Sequence, residues 1–277
     1  MRLSPLRKGL LWWFAPPASP WVSVLLAVDI APAQAWLAER RAREGERAPG
    51  LHHLVAGAIA RTLRDFPDAN AGVVGDRLVR HPQVGLAMPV NRLRPGEPEG
   101  EGNALGLALI ERAETKSLEE LAAETRRVVR EERAGRVTNP LLRTLERAVG
   151  AAPQAVVNRT LDALDRAATT PGAAGALHAR VPVTTALSNA GAAFRAPEGA
   201  WLRAVHLSIP PRLVHLGTFW GLSAVQSEVV PVEGVPAVRP VLPVLHLFDH
   251  RVIDGYRDAQ LLGRFTEILR APWETFG

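Results

Sequence analysis

Hydrophobic positions along the chain alternate between two spacings, and the changes mark out the elements. Residues 22–30 form a β-branched and leucine run, the pattern of a buried strand. Pro32 stands where a helix can begin, and helix formers fill 33–43. Across 51–66 the apolar residues Leu54, Val55, Ala58, Ile59 and Leu63 recur at helical spacing until Pro67 closes the run. Residues 70–80 read as a strand or hairpin around Gly75-Asp76. Strands are predicted at 84–90 and 106–110, with a Gly/Pro/Glu-rich loop at 94–102 between them. Ser117 and Glu120 form an S-x-x-E capping box at the head of a helix that runs to about Arg133.

Residues 135–180 interrupt the alternation. Leu141, Leu142, Leu145 and Val149 make one apolar stripe, and Val156, Val157, Leu161 and Leu164 make another. The break at 150–153 separates them and 169–175 reads as a loop, so a helical hairpin without a strand is expected. The remainder is β-rich, with strands at 181–187, 204–209, 213–219, 223–230 and 241–248 and a last helix at about 256–269. No fixed-period repeat is present. Helices alternating with strands, then strands in succession, predict α/β or α+β architecture in one domain spanning 1–277.

Composition narrows the function classes. At 47% hydrophobic and 22% charged, the chain can bury a sizeable core and is not a disordered one. No uninterrupted apolar run reaches 18 residues, so no membrane-spanning helix is expected. There is no cysteine, which excludes disulfides, cysteine-ligated metals and a cysteine nucleophile and fits a reducing, cytoplasmic setting. The net charge of +5 rests almost wholly on arginine, since only Lys8 and Lys116 are lysine. The basic residues are interleaved with acids, as in 126–133, and no aromatic-studded basic stripe appears, so nucleic acid is not an expected partner. The positive balance does suit a ligand carrying phosphates. Arg2, Arg7 and Lys8 ahead of GLLWWFA at 9–15 superficially resemble a secretory signal, but the short, tryptophan-containing stretch reads as a first helix ended by Pro16 and Pro17.

The chemistry concentrates in LHLFDHRVIDG at 245–255. A hydrophobic strand delivers His250 to its end, and Asp254-Gly255 makes a turn ahead of a helix. A histidine there can serve as a general base, although by spacing alone a packing role is the commoner reading. His246 lies four residues earlier, about 13 Å along a strand, too far to share a metal ion with His250.

FDHRVIDG at 248–255 resembles the active-site signature of the dihydrolipoamide acyltransferases, the acyl-transfer cores of the 2-oxo acid dehydrogenase complexes. Its H-x-x-x-D-G pattern is shared with chloramphenicol acetyltransferase. LSPLRK at 3–8 resembles the start of the family's catalytic domain, and DFPDANAGVVGDRLVRH at 65–81 resembles its second block. Residues 116–136 are similar to the helix beginning K-S-L, and LSNAG at 187–191 resembles I-S-N-L-G. The resemblance covers most of the chain except 138–180.

This resemblance implies a chloramphenicol-acetyltransferase-like two-layer α/β sandwich, a mixed sheet with helices on one face. It implies that His250 takes the proton from a thiol of CoA or of a dihydrolipoyl group. Ser188 would donate to the tetrahedral oxyanion. Asp254 would shape the histidine loop and pair with Arg7, and Gly255 would give the turn its backbone freedom. CoA or acyl-CoA would be the substrate, with no metal. The lipoyl group would come only in trans, from a separate lipoyl-bearing protein, because 1–277 has no lipoyl or peripheral subunit-binding domain. A trimer is implied, with histidine and serine meeting across a subunit boundary. Trp12, Trp13, Phe14 and Trp21 would mark a contact surface. Assembly into a larger cage is left open, since APWETFG at 271–277 replaces the family's leucine-rich tail, with Trp273 and Phe276 as possible anchors.

The sequence departs from the family at three places. Residues 10–15 and two prolines replace a polar helix containing E-R-M. The G-L-x-x-P-V-V-R stretch reads 106–112 with Ala108 for proline and Glu111 for arginine. The 138–180 segment has no counterpart. The leading expectation is a CoA-dependent acyltransferase moving a short acyl group between thiols. The alternatives are a non-catalytic scaffold that retains the fold and an acyltransferase with an amine or alcohol acceptor.

Overall fold

The computed structural model describes residues 19–92, 105–192, 199–203, 209 and 215–277. The predicted first helix at 9–15, the loop at 94–102 and nearly all of the predicted 204–209 strand lie outside them, as does Arg7.

The sheet is built around β9 (Val235–Asp249). Its second half is paired on one side with antiparallel β1 (Trp21–Asp29), Trp21 opposite Asp249 and Asp29 opposite Val241. On its other side lie β8 (Gln226–Val232) and then β7 (Thr218–Leu222), both antiparallel. β7 pairs in parallel with β6 (Thr185–Asn189), which pairs in parallel with β4 (Leu86–Asn91). β5 (Leu105–Ile110) closes the far edge antiparallel to β4. The seven-stranded sheet is therefore mixed, in the order β1-β9-β7-β6-β4-β5 with β8 beside β9. β2 (Ala71–Val74) and β3 (Arg77–Arg80) make a separate hairpin, turning at Gly75 in the left-handed region.

Successive side chains of a strand point to opposite faces, and the two faces bury different clusters. Leu187 of β6 and Val244 and Phe248 of β9 join the main core against α1 (Ala31–Glu44), α2 (Leu51–Asp65), α3 (Leu118–Arg133) and α7 (Gly255–Arg270). Their neighbours Ala186, Leu245 and Leu247 join a smaller cluster on the other face with Ala87 and Phe219. Helix α3 starts where its capping box requires: Ser117 Oγ accepts from Glu120 N, and Glu120 Oε2 accepts from Ser117 N.

β9 is twice as long as its periodicity suggested. Pro236, Pro240 and Pro243 obscured it, because proline cannot donate to a ladder. Pro236 and Pro240 lie where β9 pairs only with β8, and Pro243 lies between the end of the β8 pairing and the start of the β7 pairing.

The 138–180 segment holds three helices: α4 (Pro140–Ala151), α5 (Gln154–Ala168) and α6 (Pro171–Arg180). The loop expected at 169–175 is thus mostly helix, because Pro171 sits at a first helical position and the small residues after it tolerate the helix. Asn139 ties the ends of the segment together. Its side-chain oxygen caps α4 through Leu141 N and Leu142 N, while Nδ2 donates to Arg180 O at 2.8 Å.

An ion-pair cluster and a ring stack are among the contacts that bind this segment to the body. Arg92 donates to Glu132 of α3 at 2.7 Å and to Glu146 of α4 at 2.8 Å, and the Glu132 side chain is fully buried. Removing the cation strands a buried carboxylate, so Arg92→Met is expected to cost about 3–5 kcal/mol in a urea unfolding curve.

The second contact stacks His178 of α6 on His81, ring centroids 4.4 Å apart. Burial, then the charge of the neighbouring His178, pushes His81 down to about 4. Burial, then His52 and Arg126, does the same to His53. Both groups bind protons less readily in the folded chain than in the unfolded one, where histidine titrates near about 6.5. Their stabilising contribution is complete above that value and declines as the pH falls toward 4. Unfolding at pH 5 should therefore need less urea than at pH 8, by on the order of 1–2 kcal/mol for His81, and His81→Phe should flatten the dependence.

Candidate functional site

The long strand β9 ends at Asp249 and hands His250 to a five-residue loop before α7. That loop is tied at both sides. Asp249 N donates to Gly217 O at 3.0 Å and His250 N donates to Pro20 O at 2.9 Å. Val252 N then donates back to Asp249 O at 2.8 Å. The buried Asp249 carboxylate accepts from Arg251 N at 2.9 Å and from Nε and Nη2 on one edge of the Arg251 guanidinium, the shortest contact 2.7 Å. A buried carboxylate is costly unless it is paired and hydrogen-bonded, and here one side chain does both. The two residues flanking His250 thus clamp each other, and His250 is carried on the clamp.

Asp254 fixes the other end. Its Oδ1 accepts from Arg257 N at 3.0 Å, which caps the first turn of α7. Arg257 reaches Asp68 through Nε at 2.7 Å and Nη2 at 2.9 Å and lies over the Phe66 ring at 4.3 Å. The Arg257 pairing holds Asp68 below the usual carboxylate range. The 65–81 block and the histidine loop are therefore joined by one bidentate ion pair.

Gly255 departs from its expected role. It is the first residue of α7, its φ is not in the left-handed region, and a Cβ there would meet nothing within 4 Å. The capping aspartate, and not glycine's freedom, makes this turn.

His246 also has a definite place. It is fully buried, its ring centroid 4.0 Å from that of Trp220 and tilted by 44°, and its Nε2 lies 2.9 Å from Asp258 Oδ1 of α7. The pair pins α7 to the sheet beneath His250. No group of three or more histidine, aspartate or glutamate residues suited to a metal ion occurs among the described residues.

Ser188 stands elsewhere. It is the fourth residue of β6, level with Gly221 of β7 and, through that strand, with Leu245 of β9. His250 lies five residues further along β9, and β6 is two strands away. At about 3.3 Å per residue and 4.8 Å per strand, their backbones are roughly 19 Å apart. They also differ in face: Ser188 alternates with Leu187 and shares the parity of Ala186, whereas His246 and Phe248 point toward the helices. Within one chain, His250 and Asp254 stand on the same loop and Ser188 does not join them.

The Asp249–Arg251 clamp and the Asp68–Arg257 pair were absent from the sequence reading. The only available signal was a pair of opposite charges flanking a candidate histidine, which local spacing cannot distinguish from a solvated loop.

The family model for "2-oxoacid dehydrogenases acyltransferase (catalytic domain)" matches residues 17–142 and 218–277, more than half of the chain. The matched part contains 248–255 but not Ser188. Among solved structures, a probable dihydrolipoamide acetyltransferase from Listeria monocytogenes is 15% identical, with a TM-score of 0.61 over 100% of this chain and 94% of that one. The dihydrolipoamide acetyltransferase of Azotobacter vinelandii is 18% identical, with a TM-score of 0.60 over 98% and 91%. A chloramphenicol acetyltransferase is 14% identical, with a TM-score of 0.55 over 95% and 94%. These likenesses establish the acyltransferase sandwich as the fold. No curated protein matches the chain in sequence. Among the described residues no helix is long and apolar enough to cross a membrane.

Proposed function

The chain belongs to the 2-oxoacid dehydrogenase acyltransferase catalytic-domain family, and from that membership we propose that it moves a short acyl group between CoA and a dihydrolipoyl-type thiol carried by another chain. The observation that carries this reading is His250 held at the end of β9 by Asp249, Arg251 and the Asp254 cap. A general base has to meet a thiol proton in one geometry, and a loop tied on both sides supplies it.

In the forward step a ring nitrogen of His250 takes the proton from the attacking thiol. The thiolate sulfur bonds to the thioester carbonyl carbon, and the carbonyl electron pair moves to oxygen. Ser188 donates its hydroxyl hydrogen bond to that oxyanion, which carries its charge only in the transition state and intermediate. Collapse breaks the original carbon–sulfur bond, and the departing thiolate takes the proton back from His250. The same two groups serve the reverse direction.

His250 and Ser188 of one copy are too far apart to serve one carbonyl, and this supports a site shared between copies. Three or more copies form a closed ring in which His250 of one meets Ser188 of the next. One structural relative is the cubic core of a pyruvate dehydrogenase multienzyme complex, in keeping with self-assembly. Asp254 keeps the histidine loop in place, with Arg7 as its proposed second partner.

The test is incubation with acetyl-CoA and free dihydrolipoamide, following S-acetyldihydrolipoamide, with light scattering on the same sample. Enzyme-dependent transfer by an oligomer of at least three copies is expected. No transfer above the buffer rate would overturn the thiol-to-thiol reading, and an active monomer would overturn the shared site.

A further inference from the structure

Behind Ser188, on the helix side of the sheet, His52 makes a chain of contacts that the transfer mechanism above does not use. His52 is the second residue of α2 and faces the end of β6. Its Nδ1 lies 3.4 Å from Nδ2 of Asn189, and its Nε2 lies 3.2 Å from Sδ of Met88 on β4. An amide nitrogen only donates and a thioether sulfur only accepts. The contacts therefore assign the proton: Asn189 donates to His52 Nδ1, and the His52 Nε2–H points at Met88. Burial favours this neutral ring, pushing His52 below the ordinary histidine value.

Asn189 is the last residue of β6 and adjoins Ser188. Beyond it the chain leaves the sheet at once in a short 3-10 turn, Ala190–Ala192. That turn passes so close to Ser223 that a Cβ on Gly191 would lie 2.2 Å from its carbonyl carbon. The strand end thus has one ladder partner, β7, level with Ser188 and Asn189. Side chains alternate across the sheet, so an anchor on Asn189 from the helix side sets the direction in which Ser188 projects from the other. The start of α2 is itself fixed, because His53 Nδ1 accepts from Gly50 N at 3.0 Å.

We infer that His52 is a positioning residue for the oxyanion donor, acting on Ser188 through Asn189 and from within the same chain. This rests on the reading of Ser188 as that donor. His52 touches no reacting group; it holds the strand end at which the donor is presented. Its effect belongs in the transition state, so it should appear in kcat and leave KM nearly unchanged.

The experiment compares His52→Leu, His52→Asn and His52→Gln with the parent, each also in a Ser188→Ala background, using acetyl-CoA and dihydrolipoamide. Asparagine keeps an acceptor near the position of Nδ1, whereas glutamine places its polar atoms near Nε2. His52→Leu and His52→Gln should lower kcat about tenfold, less than outright loss of a donor, with KM within about twofold. His52→Asn should recover most of that loss. In the Ser188→Ala background the same substitutions should change kcat by less than about twofold, since the group they position is gone. The glutamine and asparagine pair keeps the test decisive if leucine disturbs folding. A kcat near the parent's for His52→Gln beside a slow Ser188→Ala would overturn the inference alone. So would equal kcat for the asparagine and glutamine variants, or full additivity with Ser188→Ala. A Ser188→Ala chain as fast as the parent would instead overturn the reading of Ser188 and this inference with it.

Discussion

Replacing His250 by alanine is expected to slow acyl transfer by about a thousandfold, within the 10²–10⁴ that a positioned general base contributes. The loss should fall on both directions of the reaction, because one ring takes the proton from the incoming thiol and returns it to the outgoing one. Among the described residues, neighbouring groups offer no substitute. His246 is buried and committed to Asp258, and Asp249 is saturated by Arg251. The fold should survive, since Asp249, Arg251 and Asp254 hold the loop. Transfer rate and circular dichroism on the same preparation check both halves. A mutant as fast as the parent would remove His250 from the mechanism, and an unfolded mutant would show that the ring carries structure as well.

Ser188→Ala is expected to lower kcat by about 10²–10³, the cost of losing one oxyanion donor, with CoA affinity little changed. The sheet makes a second, sharper outcome available. β6 runs parallel to β7 and β7 antiparallel to β9, so Ser188 and His250 end up at opposite ends of the same sheet. If sites form between copies, each mutant chain carries one intact half. Co-refolding equal amounts of the two inactive chains should then restore about a quarter of the parent activity, the fraction of interfaces at which an intact His250 meets an intact Ser188 in random closed rings. Mixed chains that stay inactive while remaining oligomeric would count against a shared site. The parent-like rate in either single mutant would dispose of that residue's assignment directly.

Interpreting these results requires a folded chain, and the 138–180 segment bears on that. It is held by the Arg92–Glu132–Glu146 cluster and by the His81–His178 stack. Activity assays below about pH 6 would therefore mix catalytic titration with the weakening of the His81 and His53 sites. Assays of the histidine and serine variants belong above that range.

Much of the architecture was legible in the chain itself. Apolar spacing located α2, the capping box located α3 and set its start, and the two prolines at 67 and 32 bracketed the first helical pair. The leucine and valine run ahead of FDHRVIDG announced a buried strand with a histidine at its end, and Asp254 announced the helix that follows. These features depend on neighbours within a few residues, and local patterning encodes them directly. Other features depend on partners far along the chain. The outer half of β9 is a strand because β8 pairs with it, against the preference of its prolines. Asp249, Asp68 and Asp258 carry no sign in sequence that Arg251, Arg257 and His246 will meet them. The placement of Ser188 depends on the same kind of information. A period of two tells which face a strand residue takes, but strand order and direction come from long-range pairing. Only the assembled sheet, with β6 and β9 running in opposite senses two strands apart, separates the serine from the histidine and makes a second copy necessary for the proposed chemistry.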